Sequence, residues 1–144
     1  MRIVPLLMLA AVCCAEGEFG TWKVNSARSQ DPYPKSLTVR FEPHVKGEVF
    51  TVDRIDGDGR ATTFSSILYF DGKPRDFQDL RCSGAQSSRR VDSRTVEILR
   101  QCASGERTRF VRRWAAPPKE LILDITEQHP GGRRFERHLV LEKQ

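Results

Sequence analysis

From Trp22 onward the chain alternates apolar and polar residues with a period of two, and no long stretch repeats at the helical spacing. That pattern predicts an all-β chain. Residues 20–25 read as a first strand, and residues 26–35, polar and containing Pro32 and Pro34, as an extended crossing connection. Leu37, Val39 and Phe41 alternate with Thr38, Arg40 and Glu42 as a half-buried strand does, and Pro43 ends it. Residues 48–55 are rich in Val, Phe, Thr and Ile, and Asp56-Gly57-Asp58-Gly59 supplies the residues of a hairpin turn. In the next strand Phe64, Ser66, Leu68 and Phe70 share one face, before a turn at Asp71-Gly72-Lys73-Pro74.

Residues 75–94 are the least regular part, with a Ser/Gly/Arg-rich middle and one or two short strands expected around Cys82 and Val91. The pattern then sharpens into a meander of strands at 95–102, 107–115, 121–128 and 133–142. Turns at Ser104-Gly105, Pro117-Pro118-Lys119 and Pro130-Gly131-Gly132 join them. About eight to ten sequential antiparallel strands with short connections predict an up-and-down barrel, which removes the edges an open sheet would expose. A sandwich is the main alternative, but its crossovers need longer connections than the C-terminal half offers.

Ahead of this pattern, Met1-Arg2, an uncharged apolar run to Cys14 and the small residues at Cys13-Cys14-Ala15 read as a cleaved signal peptide over residues 1–15. A single barrel domain over 16–144 is then secreted or periplasmic. Leu9-Ala10-Ala11-Val12-Cys13 supports lipid anchoring at Cys13 as a minor alternative. No stretch approaches the roughly 20 apolar residues of a membrane helix, so no membrane span is expected. Cleavage leaves Cys82 and Cys102, and pairing them in an oxidising compartment leaves no thiol over.

The formal charge of +5 falls to +4 once Arg2 is removed, which favours anionic partners. The basic residues are interleaved with acids and no nucleic-acid motif accompanies them, so no nucleic acid is expected. Asp56-Gly57-Asp58-Gly59 lacks the later ligands of a calcium loop, and His44, His129 and His138 are scattered. No metal, cofactor or catalysis is expected.

Strand parity gives the most informative feature. Thr108, Phe110, Arg112 and Trp114 share a face; so do Phe135, Arg137, Leu139 and Leu141, and Val96, Ile98 and Arg100. Arg100, Arg112 and Arg137 thus interrupt apolar faces, and a guanidinium is not buried without compensation. One account has Arg112 and Arg137, with Arg100, bind the anionic head of an amphipathic ligand whose tail lies on Phe64, Leu68, Phe110 and Trp114. The other has the arginines snorkel near strand ends, stack on Trp22 or Trp114, or pair with Asp53, Asp124 or Glu127.

Gly20-Thr21-Trp22 on the first strand, an export signal and about nine sequential strands resemble the lipocalin-like small barrels of the calycin group. The opening Gly20-Thr21-Trp22-Lys23-Val24-Asn25 and the later Phe70-Asp71-Gly72-Lys73 also resemble small secreted bacterial barrel proteins. The resemblance implies a barrel with a cavity, and Trp22 at its closed end beneath an arginine from late in the chain, Arg137 or Arg134. Fatty-acid-binding barrels are similar in carrying arginines on late interior strands. The function expected is a non-enzymatic barrel binding a small amphipathic or hydrophobic anion or lipid. The alternative is an extracytoplasmic interaction module, an adaptor or hydrolase inhibitor, that meets an envelope protein through its loops.

Overall fold

The computed structural model describes residues 17–30, 36–115 and 119–144. The expected signal peptide, Cys13, Pro32, Pro34 and the Pro117-Pro118 turn lie outside them. Ten strands follow one another: β1 (Gly20–Val24), β2 (Ser36–His44), β3 (Gly47–Ile55), β4 (Ala61–Leu68), β5 (Arg75–Gln78), β6 (Ser83–Asp92), β7 (Thr95–Cys102), β8 (Arg107–Trp114), β9 (Glu120–Gln128) and β10 (Arg134–Lys143). A single 3-10 turn, Ser26–Arg28, is the only helical piece among the described residues, so no helix there is long and apolar enough to cross a membrane.

Every pairing is antiparallel, and the sheet order is β4-β3-β2-β1-β10-β9-β8-β7-β6-β5. The chain's first and last strands meet, with Trp22 opposite Lys143 and Val24 opposite Leu141. This is the expected up-and-down barrel, with one seam in its wall where β4 and β5 share no ladder. Side chains bridge that seam: Gln86 Nε2 donates to Ser66 Oγ at 3.2 Å, the Phe70 amide donates to Ser88 Oγ at 3.1 Å, and Phe64 meets Phe77 edge-on at 5.4 Å. A cleft of about 330 Å³ follows it, lined by Ser65, Tyr69, Lys73, Arg75 and Gln86 among others.

The inward face of most strands is the apolar one, because apolar side chains gain most by leaving water. Trp22, Val39, Phe41, Phe50, Leu68, Val96, Ile98, Trp114, Leu121, Ile125, Leu139 and Leu141 form one buried core. It is tightest toward the end carrying the β2–β3, β4–β5 and β6–β7 connections, where Trp22, Leu68, Val96 and Leu141 are shut from solvent. At the opposite end, inward-facing Phe135 is 45% exposed, so that end is the mouth.

Two expectations are corrected. β4 stops at Leu68, and Phe70 follows with a left-handed backbone (φ 55°), so it shares no strand face with Phe64. Residues 75–94 are largely regular: β6 alone runs through the Ser/Gly/Arg-rich middle. It showed no apolar alternation because its inward positions are Gly84, Gln86, Ser88 and Arg90, held by pairing with β5 and β7. Gly84 is required there, since a Cβ would lie 1.9 Å from the Gln101 carbonyl oxygen.

Cys82 and Cys102 form the expected disulfide, beside Phe77 at the mouth. Removing it as C82A/C102A is expected to cost about 3 kcal/mol, the chain-entropy value for a loop of this length, read as a lowered urea midpoint. An unchanged midpoint would show that the pairing of β6 with β7 already restrains the loop.

Candidate functional site

The strand registers turn the interior arginines from a pattern into positions. Arg100 on β7 lies opposite Gln86 on β6 and Thr108 on β8, and Arg112 on β8 lies opposite Val96 and Leu123. Arg137 on β10 lies opposite Ile125. All three share the inward faces read from parity, yet they do not converge. They stand at different depths, and so do the apolar residues grouped with them.

Toward the mouth, the Arg100 guanidinium is ringed by phenylalanines: its carbon lies 4.3 Å from the Phe77 ring centre, 4.6 Å from Phe110, 5.6 Å from Phe64 and 5.9 Å from Phe50. The ring faces carry negative quadrupole charge that partly replaces the lost hydration. Arg100 Nε donates to Gln86 Oε1 at 2.8 Å, and the nearest carboxylate, Asp79, is 3.9 Å from Nη1. Burial pulls its pKa down to about 10, with Asp79 opposing, so the group stays cationic at neutral pH.

At the packed end the situation is reversed. Arg112 is 2% exposed and meets Glu48, itself 1% exposed, with Nη2 at 2.7 and 2.8 Å from the two carboxylate oxygens. Phe41 and Trp114 flank the guanidinium at 4.1 and 4.8 Å. Burial raises the Glu48 carboxyl and lowers Arg112, the partner's charge opposing each shift. A second pair sits beside it, Arg90 donating to both Glu18 oxygens at 2.8 and 3.2 Å. Leu68, opposite Glu48 in the ladder, belongs here and not with Phe64.

Arg137 donates to Glu127 at 2.5 Å near the mouth. Of the other acids weighed as partners, Asp124 takes His138 and Arg113, while Asp53 accepts from Thr63 Oγ1 on the outer face. The residue over Trp22 is Lys143, its Nζ 5.7 Å from the ring, not Arg137 or Arg134, because Lys143 is the β10 residue level with Trp22.

Glu48, Gln86, Phe50 and Phe77 are site residues that sequence reasoning missed. Glu48 and Phe50 are two apart on one strand and therefore face the same way, which was a usable signal. A groove of about 570 Å³ runs over the outer face of β6 to β10, with Ala85, Ser87, Leu99, Arg107, Arg109 and Arg134 in its lining and Arg100 and Thr108 at it as well.

No protein-family model matches the sequence, and no curated protein does. Solved structures do match. A fatty acid binding protein of Schistosoma mansoni, in complex with arachidonic acid, aligns with a TM-score of 0.61 at 9% identity, covering 91% of this chain and 98% of its own. As-p18, an extracellular fatty acid binding protein, aligns at 0.58 with 12% identity over 91% and 99% of the two chains. Zebrafish ileal bile acid-binding protein, complexed with cholic acid, aligns at 0.55 with 12% identity over 89% and 99%. The chain thus has the all-β, calycin-type barrel fold of the fatty-acid-binding proteins.

Proposed function

We propose that the chain is an exported, non-enzymatic barrel that holds a small amphipathic anion, its charged head on Arg100 and its tail along Phe110, Phe64 and the core beneath. The observation that carries this is the Arg100 site: a cationic fork inside a cage of four phenylalanines, one side hydrogen-bonded to Gln86, with no carboxylate closer than 3.9 Å among the described residues. A carboxylate accepts two parallel bonds from such a fork. Arg112 and Arg137 are poorer choices, since Glu48 and Glu127 already occupy them. The fatty-acid and bile-acid complexes of the structural neighbours support the same ligand class.

Calorimetry with palmitate and with cholate tests it. Arg100→Met is expected to weaken the anion that binds by about tenfold or more, the loss of hydrogen bonds to a charged group being about 1.5–3 kcal/mol. Equal binding of palmitate and the uncharged hexadecanol, or no uptake of any amphipath by the wild-type chain, would overturn the proposal. The outer groove favours a second reading, an interaction module for an acidic partner protein, because arginines line it and no acid does. That surface lies mostly on regular strands, not on the loops expected to make the contact.

A further inference from the structure

Deeper than Arg100, the interior holds a polar cluster with unmet hydrogen-bonding capacity. Glu48, Arg112 and Trp114 are 1%, 2% and 4% exposed. Among the described residues, Glu48 Oε1, Arg112 Nε and Trp114 Nε1 have no hydrogen-bond partner. Oε1 lies 2.7 Å from Arg112 Nη2, but the aligned bond from that nitrogen goes to Oε2. Folded proteins leave few buried polar atoms without a partner, and three gathered around one guanidinium call for an occupant.

The chemistry of that occupant follows from the orphans. They are one acceptor and two donors, and the group that complements them is a hydroxyl, with one proton to give and two lone pairs to receive. Charge points the same way. Among the described residues, Glu48 offsets Arg112 and the neighbouring Glu18 offsets Arg90, so these four charged groups sum to neutrality. A carboxylate placed among them would be a third acid against two arginines. A cation would be equally uncompensated.

We propose that Glu48, Arg112 and Trp114 form a second, neutral subsite that receives a hydroxyl on the tail of the bound anion, which makes the ligand a long-chain acid hydroxylated far from its head. This rests on the Arg100 assignment above. Arg100 is level with Thr108, and Arg112 lies four residues further along β8, a separation of about 13 Å at the strand rise. Between the two levels Ile98, Phe110 and Ile125 offer a stretch for a hydrocarbon chain, with Ser88 beside Ile98 and Arg137, opposite Ile125, engaged by Glu127. Two polar ends with an apolar middle are what such a ligand presents.

The test is calorimetry on the mature chain with saturated fatty acids of increasing length, each compared with its ω-hydroxylated form. A hydroxyl carried into an apolar cavity ordinarily weakens binding, because it loses its water. Here it is expected to strengthen binding by about tenfold at the length that reaches the cluster, because two or three hydrogen bonds are satisfied there at once. Shorter acids should gain nothing. Trp114→Phe removes one donor and keeps an aromatic ring, and the ratio of the two affinities is expected to fall severalfold at the optimal length. If the hydroxyl helps at no length while the parent acids bind, the cluster holds an ordered water only: the inference fails and the Arg100 site stands. If no acid of either kind binds, both fail.

Discussion

Arg112→Met is expected to destabilise the barrel by about 3–5 kcal/mol, the cost of leaving one member of a buried ion pair without the other. Glu48 is the group that suffers. It is shut from solvent and its aligned hydrogen bond comes from Arg112, so in the variant the cation left near its charge among the described residues is the Arg90 guanidinium, itself engaged by Glu18. The deficit should depend on pH with a definite sign. Burial already raises the Glu48 carboxyl, and losing Arg112 raises it further. A carboxyl raised in the folded state contributes stability below its unfolded value, about 4.3, and loses it as pH rises through the folded value. Urea titrations at successive pH values should therefore show the variant's deficit growing from acid to neutral pH. Adding Glu48→Gln to the Arg112→Met background should recover much of it at neutral pH. A deficit that ignores both pH and the second substitution would mean that lost packing on Phe41 and Trp114, not the stranded carboxylate, sets the cost.

Trp22→Ala should cost about as much, roughly 3–5 kcal/mol, the range for truncating a fully buried large aromatic. Trp22 has no exposed surface and packs where β1 meets β2 and β10. Its indole also donates to the Glu18 carbonyl at 3.0 Å, which fixes the segment that brings Glu18 to Arg90. Trp22→Phe separates the two roles. It retains much of the packing and loses the bond, so a cost of about 1 kcal/mol is expected from the hydrogen bond alone. If both substitutions cost the same when melted by urea, the tie to Glu18 outweighs the ring.

The inward faces of β7, β8 and β10 were legible because each strand has one dry side, and a period of two then assigns every residue on it. Arg100, Arg112 and Arg137 came with those faces. What periodicity cannot deliver is which inward residues sit at the same depth on opposite walls. Glu48 meets Arg112 across 64 positions and Glu18 meets Arg90 across 72, and both depend on how the sheet closes. The same holds for Lys143 over Trp22, which follows from the β1–β10 register. β6 was obscure for a different reason: alternation reports burial of apolar groups, and its inward face is polar, satisfied in part by Gln86 bonding Arg100 and Ser66.

The sheet order places β1 and β10 side by side at its middle, while β4 and β5, from the middle of the chain, lie at its two ends. A chain made from its N-terminus can pair β1 with β2 early, but the other edge of β1 waits for β10. Until then two half-sheets exist, each with an open edge and an apolar face. Joining them closes a loop of more than a hundred residues, a contact of high sequence separation that folds slowly. The barrel therefore completes only after β10 is free. In the interval the bare edge of β1 is its most aggregation-prone surface, the one a holding chaperone would have to cover.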